Sequence, residues 1–114
     1  MKPILLVMDP LYLAGNSEDG AWILGECCKR EAIELIVTRN LKLYTAQMIQ
    51  EHIILFWSYE GLRKSIQIKR TTPEAKVFVC TGWEGLRGKI EGVKIIRKPI
   101  CFVDLIQALQ QDWN

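Results

Sequence analysis

Five short segments of this sequence are continuously apolar and rich in valine and isoleucine; they cover residues 4–8, 35–38, 53–57, 76–80 and 93–96. A strand with one face in water alternates apolar and polar side chains, whereas a strand covered on both faces does not. The five segments therefore predict a parallel sheet with helices packed on both of its faces.

Segments with helical spacing separate these strands. Apolar residues recur three and four positions apart before the second and third strands, over 61–70, and over 102–113. The connection over 83–90 contains Gly85 and Gly88, and each glycine costs roughly 1 kcal/mol against alanine inside a helix, so we expect at most two irregular turns there. Right-handed crossovers then predict a doubly wound α/β fold with five parallel strands in the order 2-1-3-4-5.

The chain is 114 residues long with a net charge of +2. This length is typical of one domain, and we treat residues 1–114 as a single unit. The small net charge argues against a nucleic-acid partner. No segment approaches the roughly 18–20 apolar residues that cross a bilayer. The apolar run near the N-terminus, residues 4–8, is too short for the core of a signal peptide. We therefore expect a soluble, cytoplasmic protein with no membrane partner.

The four cysteines, Cys27, Cys28, Cys80 and Cys101, form no C-x-x-C pair. Two bridges remain possible on counting alone, but apolar surroundings favour free, buried thiols in a reducing compartment. Neither the cysteine spacing nor the single histidine, His52, supports a zinc site. We expect no metal and no cofactor.

In open parallel sheets, functional groups gather just beyond the carboxyl ends of the strands. The sequence places the following residues at those ends: Asp9, Trp57, Ser58, Thr81, Lys98 and Pro99. We expect these residues to converge at one edge of the sheet, where they bring together an acid, a hydroxyl and an ammonium.

Three of these strand ends resemble the receiver domain of bacterial response regulators, a flavodoxin-like fold. Residues 4–9 are similar to the first strand and its acidic end, and residues 76–82 to the fourth strand ending in the switch Thr or Ser, here Thr81. Residues 93–100 are similar to the fifth strand running into Lys98-Pro99. The resemblance implies that Lys98 would contact a phosphoryl group and that Pro99 would follow a cis peptide bond.

The departures from the receiver pattern concern its chemistry. Trp57 stands where receivers carry the phosphorylated aspartate, and an indole cannot accept a phosphoryl group. Met8 replaces one residue of the acidic pair, so that Met8 and Trp57 together would deprive a magnesium ion of two of its three carboxylates. Shifting the register offers Ser58 or Glu60, but neither restores the metal site. We interpret the chain as a degenerate, non-enzymatic pseudo-receiver.

Simpler interpretations of the same residues stay open. Lys98-Pro99 can be an ordinary strand end and turn, and Asp9 can be a turn residue instead of the ion-pair partner of Lys98. Trp57 can be a core residue, or it can fill the vacated pocket with its N–H bonded to an acceptor such as Asp9.

The function favoured by the sequence is phosphorylation-independent signal transduction, in a two-component setting, through binding to another signalling protein or to itself. Candidate contacts for that partner-binding face, with core packing as the rival role, are Trp83, Leu86, Arg97 and Phe102. One alternative is a small-molecule or nucleotide sensor that uses the strand-end crevice, which depends on whether Trp57 fills it. Another is a thiol-redox carrier, for which Cys101 at the head of the last helix is the candidate.

Overall fold

A computed structural model of the protein describes residues 2–8, 16–39, 41–82, 88–98 and 101–111, of which residues 16–22 and 111 are described by their backbone alone. The helices are α1 Asn16–Arg30, α2 Ala46–Glu51, α3 Leu62–Thr71 and α4 Phe102–Gln111. The strands are β1 Ile4–Val7, β2 Leu35–Thr38, β3 Ile53–Phe56, β4 Lys76–Thr81, β5 Lys89–Ile90 and β6 Val93–Arg97. Short 3-10 helices span Leu41–Leu43 and Tyr59–Gly61.

The described strands form one six-stranded sheet in the order β2-β1-β3-β4-β6-β5. Every neighbouring pair is parallel except β5 with β6, which confirms the predicted α/β class with a mostly parallel sheet. The predicted count of five strands and the order 2-1-3-4-5 are wrong, because β5 adds an antiparallel edge strand beyond the last parallel strand. The architecture is compatible with a flavodoxin-like fold.

The extra strand exists because of a two-residue turn between β5 and β6. Glu91 and Gly92 both have positive φ, 47° and 86°, as a type I′ hairpin turn requires. The turn pairs Ile90 with Val93, and the Ile95 N–H donates to the Gly88 carbonyl at 2.8 Å. Part of the expected irregular connection is thus a hairpin, while residues 83–87 lie outside the described residues.

Strand alternation divides the core into two layers. Ile4, Leu6, Leu55, Phe78 and Cys80 face α1 and α4, where Leu24, Leu105 and Leu109 meet them. Leu5, Val7, Ile54, Phe56, Val77 and Val79 face the other side, where Ile68 of α3 packs. The prediction that helices cover both faces is confirmed, and it explains why the central strands show no polar alternation.

Local signals set the helix ends where the chain is described. The Thr45 hydroxyl accepts a hydrogen bond from the Met48 N–H at 3.2 Å and begins α2. Helix α3 stops at the Thr71-Thr72-Pro73 segment, with Thr72 as its C-cap. No helix in the described part of the chain is long and apolar enough to cross a membrane.

The four cysteines are free. Cys28 and Cys80 are buried as expected, whereas Cys27 is partly buried and Cys101 is exposed. The prediction of burial was therefore wrong for Cys101, because this residue precedes the first turn of α4. Its carbonyl accepts the Leu105 N–H at 2.9 Å, so its position is set by the helix end and not by the core.

Candidate functional site

Trp57 lies at the carboxyl end of β3, one residue beyond the strand. Its backbone N–H donates to the Val7 carbonyl at 3.1 Å, which extends the β1–β3 pairing by one residue. Successive side chains of a strand point to opposite faces, so Trp57 lies on the α1 and α4 side, with Ile53 and Leu55. Phe56 lies on the opposite side. The sheet thus places the indole above the α1 and α4 layer of the core.

Lys98 follows β6 and lies beside Trp57. Its backbone N–H donates to the Thr81 carbonyl at 2.8 Å, which holds the residue against the end of β4. Its Nζ donates to the Trp57 carbonyl at 2.6 Å and lies 4.6 Å from the centroid of the indole ring. Lys98 therefore makes both a charge-assisted hydrogen bond and a cation–π contact with one residue.

Phe102, the first residue of α4, completes this cluster. Its ring stacks on the Trp57 indole with centroids 6.0 Å apart and an interplanar angle of 11°. Both rings are partly buried and pack against the core layer that α1 and α4 cover. We call Trp57, Lys98 and Phe102 the strand-end cluster. It joins β3, β6 and α4 at the carboxyl edge of the sheet.

The surroundings of the cluster shift two proton affinities. Burial lowers the pKa of Lys98, and the nearby Cys80 acts in the opposite direction. Burial raises the pKa of Cys80 to about 11, with Lys98 opposing the shift. Lys98 contacts Trp57, and Cys80 belongs to the same core layer as Trp57. Cys80 and Lys98 therefore lie on the same face of the sheet. Cys80 is therefore a protonated core thiol near neutral pH and not a reactive thiolate.

Of the other residues predicted at the strand ends, Thr81 and Ser58 are described by the structure, and Asp9 and Pro99 are not. Thr81 is buried at 4% exposure, and its carbonyl holds Lys98. Ser58 is partly buried and begins the 3-10 turn Tyr59–Gly61 without a capping bond from its side chain. Asp9 and Pro99 lie outside the described residues, so neither the Asp9–Lys98 ion pair nor the Asp9–indole bond is described.

The predicted partner-binding face is only partly described. Trp83 and Leu86 lie outside the described residues, Arg97 is exposed, and Phe102 is turned toward Trp57. Within the described ranges, no group of three or more His, Cys, Asp or Glu side chains is placed to hold a metal ion. The described part of the edge thus offers a cation and aromatic rings and no carboxylate cluster.

A crevice stays open on the other side of the same edge, next to the carboxyl ends of β1 and β3. It has a volume of about 170 Å³ and is lined by Val7, Met8, Arg39, Leu41, Phe56, Ser58, Glu60, Gly61 and Lys64. Trp57 does not line it, since the indole lies on the opposite face. Sequence reasoning identified Ser58 at this edge but missed Arg39 and Lys64, which come from the loop after β2 and from α3. No local motif marks either residue.

No protein-family model matches the chain, and no curated protein or solved structure matches it either. A functional assignment therefore depends on the residues and the geometry of this molecule. The strand-end cluster and the crevice are the two features at the edge of the sheet that can support one.

Proposed function

We propose that this protein is a pseudo-receiver: a signal-transduction module of the response-regulator type that acts through protein–protein contacts without being phosphorylated. The observation that carries the proposal is the hydrogen bond of 2.6 Å from the Lys98 Nζ to the Trp57 carbonyl. In the receiver pattern that the sequence resembles, this lysine contacts a phosphoryl group. Here its ammonium is already bound by a main-chain oxygen and by the face of an indole.

The chemistry of the edge supports the absence of phosphotransfer. Trp57 occupies the position of the phosphorylated aspartate, and Met8 occupies a position of the acidic pair. Met8 is also buried, at 4% exposure, so its thioether belongs to the core. Magnesium selects carboxylate and water oxygens, and the two side chains at these positions provide none. On this proposal the protein is not an enzyme.

The contacts of the cluster also support a surface with one fixed conformation. Trp57 links β3 to Lys98 and to Phe102, and the Lys98 N–H links the end of β4 to the segment after β6. In a receiver this lysine meets a phosphoryl group, whereas here the Lys98 ammonium is held by Trp57. The partner-binding face would be presented permanently, in the cytoplasm, to a signalling protein or to a second copy of the chain.

Near the cluster, α4 supports such an interface through Val103, which is 57% exposed. Asp104 on the next position and Arg97 at the end of β6 are exposed as well. Val103 and Asp104 of α4 are thus accessible to a partner protein.

The test combines a phosphodonor with an association measurement. The protein is incubated with acetyl phosphate and magnesium, its intact mass is measured, and its sedimentation is recorded with and without the donor. We expect no phosphoryl adduct and superimposable sedimentation profiles over a concentration series. A stoichiometric adduct, or a donor-dependent change of association state, would overturn the proposal.

A further inference from the structure

We propose that a groove between α1 and α4 binds a free α-amino acid with a small aliphatic side chain. The groove has a volume of about 160 Å³, and its lining comes from the carboxyl end of α1 and from one face of α4. We call it the helix groove. None of the residues that line it belongs to the strand-end cluster, so the inference goes beyond the proposed function and does not rest on it.

The topology of the sheet sets these two helices side by side. Helix α1 follows β1 and α4 follows β6, and both strands belong to the parallel part of the sheet, so both helices run back along it in the same direction. Leu24 of α1 and Leu105 and Leu109 of α4 are fully buried in one core layer. Both helices are thus fixed on the sheet, and the groove between them has a defined shape.

The wall formed by α1 carries one cation and one anion. Cys27, Arg30 and Glu31 are spaced three and four positions apart, which places them on one side of the helix end, and all three line the groove. Arg30 and Glu31 are exposed, and neither side chain has a hydrogen bond or an ion pair with any described residue. Their charged groups are therefore available to a ligand, one of each sign.

The wall formed by α4 supplies an apolar floor and two amides. The residues that line the groove from this helix follow the same spacing; they are Val103, Ile106, Gln107 and Gln110. Ile106 is 4% exposed and Cys27 is partly buried, so these two side chains form the floor. The two glutamine amides each offer donors and an acceptor. The groove therefore has an apolar floor with polar groups converging above it, as ligand sites do.

The charges of the helix groove balance, which favours a zwitterion over an anion or a cation. The carboxylate of an amino acid accepts hydrogen bonds from the Arg30 guanidinium, and its ammonium donates to the Glu31 carboxylate. A ligand with one charged group would leave one of these two side chains without a partner. The aliphatic part of the amino acid then lies on Cys27 and Ile106.

The backbone holds Arg30 and Glu31 at the groove. The Ile33 N–H donates to the Cys28 carbonyl at 2.8 Å, and Ala32 has a positive φ of 55°, as in a helix that ends in a left-handed cap. This cap fixes the segment that carries both charges. Less ordering entropy is therefore lost when a ligand binds.

The volume limits the side chain of the ligand. Water occupies roughly 30 Å³ per molecule in the liquid, so a groove of about 160 Å³ takes up an isobutyl group with part of the charged head. A fused-ring side chain would leave no room for the head beside Arg30 and Glu31. Leucine is therefore the ligand that the experiment uses.

The experiment is a titration of the ¹⁵N-labelled full chain with leucine and with two analogues that each lack one charged group. Isoamylamine lacks the carboxylate, and isocaproate lacks the ammonium. We expect saturable shifts of the Cys27, Glu31, Ile106 and Gln110 amides with leucine, and at least about tenfold weaker binding of each analogue. The proposal is overturned if leucine gives no saturable shifts at these amides, or if either analogue binds as tightly as leucine.

Two variants assign the two halves of the ligand. Arg30→Gln should weaken leucine binding about tenfold, the value of one charge-assisted hydrogen bond, and leave isoamylamine binding unchanged, because this analogue has no carboxylate. Glu31→Gln should weaken leucine binding to a similar extent and leave isocaproate binding unchanged. If either variant also weakened the analogue that lacks its partner group, the assignment would be contradicted.

Lys29 provides the matched control in the same helical turn. It is exposed and does not line the groove, and its Nζ pairs with Glu26 at 3.3 Å. Lys29→Gln should leave leucine binding unchanged, and a loss equal to that of Arg30→Gln would reveal a general charge effect and overturn the site. Trp57→Phe, in the strand-end cluster, should also leave leucine binding unchanged, so failure of this inference is distinguishable from failure of the pseudo-receiver proposal.

Discussion

The ammonium of Lys98 lies against Trp57 twice: its Nζ donates to the Trp57 carbonyl at 2.6 Å and stands 4.6 Å from the centroid of the indole. The two residues are 41 positions apart in the sequence, and they meet because β3 and β6 both end at the same edge of the sheet. Since the ammonium is half-buried, this pairing replaces solvent that Lys98 would otherwise bind. These two contacts hold the ends of β3 and β6 together and keep the Lys98 ammonium bound to Trp57.

Removing the ammonium should destabilise the fold. In Lys98→Met the hydrocarbon part of the side chain is retained, but the partly buried Trp57 carbonyl loses its donor. We expect a loss of about 1–3 kcal/mol in the free energy of unfolding, measured by urea denaturation. Lys64→Met, at an exposed position of α3, is the control and should change stability by less than about 0.5 kcal/mol. Equal stability of the two variants would show that the Lys98 contacts contribute nothing.

The stacked pair of Trp57 and Phe102 should be energetically coupled. In a double-mutant cycle with Trp57→Leu and Phe102→Leu, we expect a coupling energy of about 0.5–1.5 kcal/mol, because the rings interact beyond their burial. A cycle of Phe102→Leu with Ile54→Val, whose side chain lies in the opposite core layer, should be additive. A coupling near zero for the aromatic pair would mean that the two rings pack independently.

The buried thiol of Cys80 should make the fold weaker in alkali. Burial raises its pKa from 9.0 to about 11, so between these values the unfolded chain has lost a proton that the folded chain keeps. The free energy of unfolding therefore falls as the pH rises through this window. Lys98 contributes in the opposite direction, because its pKa is lowered by burial and its charging penalty disappears as the pH rises.

The Cys80 contribution is isolated by comparing pH dependences. Between about pH 8 and pH 10.5, Cys80→Ala should lose about 2 kcal/mol less stability than the wild-type protein, even though the cavity makes the variant less stable at pH 8. Cys101→Ala, at an exposed thiol, should follow the wild-type curve. Parallel curves for all three proteins would place the Cys80 thiol in contact with solvent.

The hairpin between β5 and β6 should depend on Gly92. Its φ is +86°, and a Cβ there would stand 2.9 Å from the Cε of Lys69. Gly92→Ala should therefore cost more than about 1 kcal/mol in urea denaturation. Gly82→Ala is the matched control, since no heavy atom lies within 4 Å of its added Cβ, and it should be neutral within about 0.5 kcal/mol. If the two substitutions had the same effect, the left-handed turn would not be required.

The sequence predicted the parallel sheet and the meeting of Trp57 with Lys98 at one edge, because apolar runs and strand ends are local features that topology brings together. It did not predict β5, since Glu91-Gly92 is not a common hairpin dipeptide and Glu91 adopts positive φ with a side chain present. Phe102 was expected on a partner-binding face, but its stacking on Trp57 depends on where α4 docks. The crevice was missed because Arg39 and Lys64 are brought together only by the fold.

The proposal that the strand-end cluster binds no phosphoryl group is tested by ¹⁵N–¹H spectra recorded during titration with beryllofluoride and magnesium. This complex mimics an aspartyl phosphate and requires a carboxylate and a metal site. We expect the Trp57, Thr81 and Lys98 amides to stay within the shifts produced by magnesium chloride alone. Saturable movement of these three amides with beryllofluoride would contradict it.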